Sequence, residues 1–147
     1  MTKDDAVTYA TEAHRGQMYG DKPYVYHLEQ VAKEYLSFFR GSAVEDGVVV
    51  AYLHDVLEDT DKTEENLLQA GFSQGVVSCV SKLTFWNKLS REQYIEDIRV
   101  LRHSPTILRV AWEVKVADTM SNLRHSVKEG NVRRISKYME QVRRLYA

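Results

Sequence analysis

Proline and glycine are scarce in this sequence, and their scarcity limits the folds that the chain can adopt. Only two prolines and seven glycines occur in 147 residues. Because these residue types most often end regular elements, their scarcity favours long helices over many short strands. Between them, apolar residues recur three or four positions apart, which is the spacing of one helix face. The sequence therefore predicts an all-α fold, a single-domain bundle of about seven or eight helices.

Start signals and apolar spacing place the helices along the chain. The predicted helices run from Thr2 to about His14, from Pro23 through Phe38, from Val44 to Leu57, from Thr63 to near Gly71, from Ser73 to Leu83, from Ser90 to Leu101, from Ser104 to about Val127, and from Val132 to Tyr146. The segment Gly16–Pro23 is predicted to be a loop from its composition. Ser104 followed by Pro105 is a strong start signal, a cap before a proline at the first helical position.

Composition narrows the choice of partners and compartment. Lys and Arg total 20 and Asp and Glu total 21, so the net charge of −1 argues against a nucleic-acid-coating chain, and we expect no nucleic-acid partner. The single cysteine, Cys79, allows no intrachain disulfide and is typical of a reducing compartment. No apolar run reaches the roughly 18 residues of a membrane span, and the polar start does not resemble a signal peptide. We expect a cytoplasmic protein with no membrane partner. The sequence leaves open whether the chain forms a homo-oligomer.

Several polar residues interrupt the apolar pattern at positions that should face the core, because residues three and four apart share a helix face. They are His27 on the second helix, His54, Asp55, Glu58 and Asp59 on the third, and Asp118 and Asn122 on the longest. A buried carboxylate costs several kcal/mol unless a positive charge neutralises it. Few basic residues share these stripes, so a metal ion is the partner that would satisfy all of these groups together.

The chemistry of this set favours a divalent ion. Two imidazoles and two carboxylates suit Mn²⁺, Fe²⁺ or Zn²⁺. Four protein ligands would leave positions open for water and a phosphate oxygen, so the ion could acidify the water and polarise the phosphoryl group.

Each of these polar residues also has a plainer structural explanation. A lone histidine on an apolar face is more often a hydrogen-bonded core residue, and Asp118 with Asn122 could be a capping or salt-bridge pair.

Five stretches, in order along the chain, are similar to the HD phosphohydrolase superfamily. They are AHRGQ at 13–17, PYVYH at 23–27, AYLHDVLEDT at 51–60, SKLT at 81–84 and VKVADTMSNLRH at 114–125. Within that superfamily the chain most resembles the hydrolase domain of the RelA/SpoT alarmone enzymes and their small stand-alone relatives. The resemblance implies one HD phosphohydrolase domain over residues 1–147, an HD-type helical bundle with a metal site in its core.

The resemblance also implies roles for individual residues. By position, one metal ion, usually manganese, would be held by His27, His54, Asp55 and Asp118; Glu58 and Asp59 would act on the attacking water; and Asn122 would contact the ribose or a phosphate of the substrate. The implied activity is that of a guanosine-3′,5′-bis(diphosphate) 3′-pyrophosphohydrolase, which hydrolyses ppGpp and releases pyrophosphate. The implied partner is therefore a small nucleotide.

The loop at Met18–Lys22 departs from the family pattern. It is one residue short and lacks the arginine of an Arg-Lys pair that grips guanine in the family. Two alternatives therefore stay open: a phosphatase or phosphodiesterase for another small nucleotide, and a non-catalytic nucleotide-binding HD module.

Other residues have weaker functional signals. Lys115 is a candidate substrate contact, with a solvated surface lysine as the alternative. His14 is expected to fix the loop by hydrogen bonds. Lys88, Arg91 and Tyr94 are candidates for the pocket mouth and Tyr19 for stacking on a base, although surface or core roles are equally natural. The basic face of the last helix is predicted to be solvated, with an acidic partner or RNA as the alternative.

Overall fold

The computed structural model describes residues 1–86 and 90–147. In these residues the helices are α1 Lys3–Ala13, α2 Val25–Phe38, α3 Val44–Leu53, α4 Val56–Asp59, α5 Glu64–Gln69, α6 Gln74–Leu83, α7 Arg91–Arg99, α8 Arg109–Lys128 and α9 Val132–Tyr146, with a 3₁₀ helix at Val100–His103 and short strands β1 Met18–Tyr19 and β2 Lys22–Pro23. The all-α prediction is confirmed. Lys88, expected at the pocket mouth, lies outside the described residues.

Two helices, α3 and α8, form the centre of the bundle. Every residue from Gly47 to Leu53 in α3 is buried, and α3 packs against α1, α2, α6 and α8. A helix that is apolar on all sides must be surrounded by protein. The 20-residue helix α8 packs against α2, α3, α6, α7 and α9. Side chains from both central helices can therefore meet inside the molecule.

Side-chain caps fix the predicted start of α1. The hydroxyl oxygen of Thr2 accepts a hydrogen bond from the N–H of Asp5 at 3.3 Å, and the Asp5 carboxylate accepts one from the N–H of Thr2 at 2.7 Å. Such a cap contributes about 1 kcal/mol to helix stability. The hydroxyl oxygens of Thr63, Ser73 and Ser90 likewise accept a hydrogen bond from a backbone N–H in the first turn of α5, α6 and α7.

The longest helix begins later than the sequence indicates. It starts at Arg109, so the start predicted at Ser104-Pro105 is wrong. The Ser104 hydroxyl accepts a hydrogen bond from the N–H of Thr106, and the Thr106 hydroxyl accepts one from the N–H of Leu108. Hydroxyls that bond to neighbouring backbone groups compete with the helix for those groups. These residues therefore form turns before α8.

The segment predicted as a plain loop contains an antiparallel hairpin. Its paired residues are Met18 with Pro23 and Tyr19 with Lys22. The turn between the strands begins at Gly20, whose φ of +62° is a conformation that glycine adopts without strain. The hairpin thus fixes the position of Tyr19 relative to α2.

The second helix also begins later than predicted. Pro23 belongs to β2, and α2 starts at Val25. The backbone N–H of Tyr24 donates to the carbonyl oxygen of Gln17 at 3.0 Å, which ties the end of the hairpin to its beginning. The position predicted for Pro23, in the first turn of α2, is therefore wrong.

The helix predicted from Val44 to Leu57 is interrupted at its most polar point. α3 ends at Leu53 and α4 begins at Val56, so His54 and Asp55 lie in a turn. The imidazole Nδ1 of His54 donates to the carbonyl oxygen of Ala51 at 2.7 Å. That carbonyl is the acceptor that a continuous helix would offer to the N–H of Asp55. The ring of His54 therefore bonds to a helix carbonyl at the point where α3 ends.

Across the described ranges 1–86 and 90–147, no helix combines the length and the apolar character that crossing a bilayer requires.

The close contact between α2 and α3 gives a stability prediction. A Cβ atom at Gly47 would lie 2.0 Å from the ring of Tyr35, which is only 1% exposed and donates a hydrogen bond to Glu113. We expect Gly47→Ala to lower the free energy of unfolding by about 1–3 kcal/mol, the usual cost of overpacking a core. Gly41→Ala is the control, since nothing lies within 4 Å of its Cβ position. Equal stabilities of the two variants in urea unfolding would contradict this packing.

Candidate functional site

Three parts of the fold bring two histidines and two aspartates together. His27 lies on α2, His54 and Asp55 lie in the turn after α3, and Asp118 lies on α8. We call these four residues the His–Asp cluster. The Nε2 atom of His27 is 3.1 Å from Oδ1 of Asp118, and that of His54 is 3.1 Å from Oδ2 of Asp55. Candidate ligand atoms of His27, His54 and Asp55 lie within 4.8 Å of one another.

The orientation of His54 leaves one ring nitrogen free to bind a cation. Because the carbonyl oxygen of Ala51 can only accept, Nδ1 carries a proton, so Nε2 is the nitrogen that offers a lone pair once it is deprotonated. This Nε2 atom is buried and has no hydrogen-bond partner among the described residues. A backbone acceptor on one ring nitrogen, with a lone pair on the other, is the usual arrangement of a metal-binding histidine.

The charges of the cluster also favour a cation. Burial raises the pKa of the Asp118 carboxyl, but the Lys115 ammonium and the two histidines outweigh it and hold this pKa well below its usual range. Burial lowers the pKa of His54, yet Asp55 and Asp118 together raise it well above its usual range. The ionised carboxylates of Asp55 and Asp118 therefore attract a cation to the place where the ring nitrogens of the two histidines approach their oxygens. The residues present fit a divalent cation.

Lys115 is part of this arrangement. It is 7% exposed, so the alternative of a solvated surface lysine is wrong. Its Nζ atom lies 3.1 Å from Oδ2 of Asp118 and 5.3 Å from the centroid of the Tyr94 ring. The two oxygens of Asp118 thus have different neighbours: Oδ2 faces Lys115, and Oδ1 faces the histidines.

Glu58 and Asp59 are both exposed, so the prediction that these two residues face the core is wrong. The interruption after α3 places both residues on the exposed side of α4. The Glu58 carboxylate accepts a hydrogen bond from the backbone N–H of Phe85 at 2.6 Å. Its partial desolvation against the protein outweighs this bond and raises the pKa of Glu58 above its usual range.

Hydrogen bonds link Asp59 to the loop before the hairpin. The side-chain N–H of Gln17 donates to Asp59 at 3.1 Å, and the amide oxygen of Gln17 lies 2.8 Å from Nδ1 of His14. Since an amide oxygen only accepts, His14 donates from Nδ1. The prediction that His14 fixes this loop by hydrogen bonds is confirmed.

Two tyrosines contact these residues in ways that the sequence analysis did not predict. The Tyr24 hydroxyl donates to Oδ2 of Asp55 at 2.7 Å, and the Tyr19 hydroxyl donates to Oδ1 of Asn122 at 2.7 Å. Tyr24 precedes His27 by three residues and so lies on the same face as the histidine, which is a signal that the sequence contains. The hydrogen bond of Tyr19 spans 103 residues and has no such local signal.

A groove of about 560 Å³ lies beside the cluster, between α2 and the second half of α8. Tyr19 forms its wall towards the cluster, and Tyr26, Gln30, His125 and Lys128 are among the other lining residues. The surface of the groove is more apolar than polar. Such a groove can take a flat apolar group with polar edges.

Comparisons with known proteins identify the family of this chain. A family model described as HD domain matches residues 6–147. The chain is 31% identical over 144 residues to the guanosine-3′,5′-bis(diphosphate) 3′-pyrophosphohydrolase MESH1 of Danio rerio, covering 92% of this chain and 77% of that protein. The MESH1 protein of Xenopus tropicalis is 32% identical over 125 residues, which are 82% of this chain and 66% of that protein.

A bacterial relative and a solved structure extend the comparison. The guanosine-3′,5′-bis(diphosphate) 3′-pyrophosphohydrolase of Haemophilus influenzae is 32% identical over 136 residues, which are 87% of this chain and 19% of that protein. A solved structure, described as a metazoan ortholog of SpoT that hydrolyzes ppGpp and plays a role in starvation responses, superposes with a TM-score of 0.72 at 23% identity. It covers 99% of this chain and 85% of its own, so the two chains share a fold.

The cluster geometry gives a prediction about Asp118. We expect Asp118→Asn to weaken Mn²⁺ binding by at least 10–100-fold, roughly the loss that follows removal of even an outer partner of a metal site. The variant should also unfold more easily, because Lys115 stays buried without its anionic partner. Calorimetric titration and thermal melting would measure both effects. Asp61→Asn is the control, since the side chain of Asp61 is 92% exposed; equal Mn²⁺ affinities of the two variants would contradict the assignment.

Proposed function

Because this chain belongs to the HD domain family, we propose that it is a metal-dependent phosphohydrolase that acts on a small nucleotide, with ppGpp as the preferred substrate. The observation that carries the proposal is the meeting of two imidazoles and two carboxylates around the lone pair of His54 Nε2. The names of the Danio rerio and Haemophilus influenzae relatives support ppGpp as the substrate. The reaction would be hydrolysis of the 3′-pyrophosphate group.

The proposed ligands of the metal ion are His27, His54, Asp55 and Asp118. When bound, a divalent ion supplies a Lewis acid and a water molecule of lowered pKa. The mixed nitrogen and oxygen set favours Mn²⁺, with Fe²⁺ or Zn²⁺ as alternatives. Tyr24 would hold Asp55 in place through the hydrogen bond to Oδ2, and Ala51 would hold His54 through Nδ1.

Glu58 and Asp59 are the proposed proton-handling residues. Glu58 is held by the N–H of Phe85, and Asp59 is held by Gln17, so each carboxylate has one fixed contact at the edge of the cluster. The raised pKa of Glu58 suits a group that accepts a proton from water and returns it to a leaving oxygen. Their exposed position on α4 would leave room for a substrate between them and the cluster.

Lys115 and Asn122 are the proposed substrate contacts. Lys115 uses one N–H to bind Asp118 and keeps its positive charge beside the site where phosphate charge would develop. Asn122 offers an amide oxygen and an amide N–H for a ribose hydroxyl or a phosphate. Both residues lie on α8 within four positions of Asp118, so one rigid helix would carry three of the functional groups.

A second candidate is another small phosphorylated nucleotide at the same site. The hairpin presents Tyr19 and Lys22 and has no arginine with which to bind guanine at two points. The Nζ atom of Lys22 lies 5.2 Å from the centroid of the Tyr26 ring. An aromatic wall stacks on any base, so the hairpin by itself does not select guanine.

A nucleotide panel tests the proposed substrate. With Mn²⁺, the purified chain should convert ppGpp to GDP and pyrophosphate, and chelation of the metal should abolish the reaction. Adenosine nucleotides that carry the same 3′-pyrophosphate, together with ordinary nucleoside triphosphates, complete the panel. Turnover of another nucleotide without turnover of ppGpp would favour the second candidate, and binding without any turnover would indicate the non-catalytic module.

Replacement of Glu58 separates proton transfer from metal binding. We expect Glu58→Gln to keep Mn²⁺ affinity and to lower kcat by roughly 10²–10⁴-fold, the usual contribution of such a group. In the native protein Glu58 must be ionised to accept a proton, and its raised pKa moves the acid limb of the pH–rate profile above that of an ordinary glutamate. The limb should disappear in Glu58→Gln. Glu64→Gln, on the exposed side of α5, is the control; an unchanged acid limb in Glu58→Gln would reject the role.

A further inference from the structure

We propose that Tyr19 is a positioning residue for both His27 and Asn122: its ring holds the imidazole of His27 and its hydroxyl holds the amide of Asn122. The role of the ring towards His27 requires only that the His–Asp cluster binds a cation. The role of the hydroxyl towards Asn122 rests on the proposed function. Tyr19 lies in the segment where the chain departs from the family pattern, so this role belongs to the chain's own residues.

The two histidines of the cluster are held differently. Nδ1 of His54 has an acceptor in the carbonyl oxygen of Ala51, whereas the buried Nδ1 of His27 has no hydrogen-bond partner within residues 1–86 and 90–147. A metal-binding histidine ordinarily donates its second N–H to an acceptor, and this bond fixes the plane of the ring. His27 therefore needs another source of orientation.

The ring of Tyr19 provides that orientation. It lies against the imidazole of His27 with the ring centroids 4.5 Å apart and only 14° between the planes. On another side Tyr19 contacts the ring of His125, with centroids 4.8 Å apart. A stacked pair of this kind contributes about 0.5–1.5 kcal/mol and limits rotation of both rings. The stack thus keeps Nε2 of His27 directed at Asp118.

The hydroxyl of Tyr19 fixes the amide of Asn122. The Nδ2 atom of Asn122 donates to Oδ1 of Asp118 at 3.0 Å, and an ionised carboxylate can only accept. The amide oxygen of Asn122 must then face Tyr19, whose hydroxyl donates to it at 2.7 Å. One lone pair on that oxygen and one N–H on Nδ2 remain for a ligand. Asp118 therefore sets the orientation of the amide, and the Tyr19 hydroxyl holds the amide in that orientation.

The hairpin gives Tyr19 the rigidity that this role requires. Tyr19 pairs with Lys22 across the two strands, and the positive φ of Gly20 allows the tight turn between them. The hydrogen bond from the N–H of Tyr24 to Gln17 closes the segment onto α2. The hairpin thus contributes to the site by holding the uncharged side chain of Tyr19 in place.

Two substitutions at Tyr19 separate the ring from the hydroxyl. Tyr19→Phe keeps the stack, so Mn²⁺ affinity measured by calorimetry should stay within twofold, while KM for the nucleotide should rise about 3–10-fold with little change in kcat, as expected for one lost hydrogen bond. Tyr19→Leu removes the flat ring and should weaken Mn²⁺ binding by about 10-fold. Tyr9→Phe is the control, because the ring of Tyr9 packs on Phe72 and on no residue of the cluster among the described contacts.

Three results would overturn the proposal: native Mn²⁺ affinity in Tyr19→Leu, an equal loss of Mn²⁺ affinity in Tyr19→Phe, or a lower KM in Tyr19→Phe, which would mean that the hydroxyl blocks Asn122. The metal titrations contain no nucleotide, so they decide the role of the ring even if ppGpp is not a substrate.

If ppGpp is not a substrate, the side-chain amide resonances of Asn122 test the role of the Tyr19 hydroxyl. They should shift in metal-free Tyr19→Phe and stay in place in Tyr9→Phe; unshifted resonances in Tyr19→Phe would reject the hydroxyl's role.

Discussion

The structure depends on placing ionised carboxylates inside a helical bundle. Asp118 is 7% exposed on the central helix α8, and Asp55 lies beside it at the end of α3. Two such charges cannot stay close in a low-dielectric interior without positive charge. Lys115 provides one positive charge on the Oδ2 side of Asp118. The two imidazoles meet the carboxylates on the other side and leave a place where a divalent ion fits.

The break between α3 and α4 lies at this cluster. A continuous helix would have carried His54, Asp55 and Glu58 along a single rod. In the structure His54 and Asp55 lie in a turn at the cluster, whereas Glu58 and Asp59 are exposed on α4. The residues proposed to bind the cation thus lie at the cluster, and the two carboxylates proposed to transfer protons are exposed. The hydrogen bond from His54 to Ala51 serves both the turn and the orientation of the imidazole.

Asp118 connects most of the polar contacts of the site. Oδ2 faces Lys115, while Oδ1 faces His27 and His54 and accepts a hydrogen bond from Asn122. Through Asn122 the contacts continue to Tyr19 on the hairpin, and Tyr19 returns to His27 by stacking. Because these contacts form a closed network, each side chain is held by two neighbours, and a substitution at one residue affects the others.

Local spacing and caps such as Thr2 and Ser90 are enough to predict the helical class, most helix boundaries and the residue types of the cluster. These local signals misplace the start of α8, because the hydroxyls of Ser104 and Thr106 accept hydrogen bonds from the N–H groups of Thr106 and Leu108 and the chain forms turns there. Only the tertiary structure decided that Lys115 is buried, that Glu58 is exposed, and that Tyr19 lies between His27 and Asn122. These facts depend on how helices and a hairpin distant in sequence pack together, and the periodicity of a single segment carries no information about the surfaces that cover it.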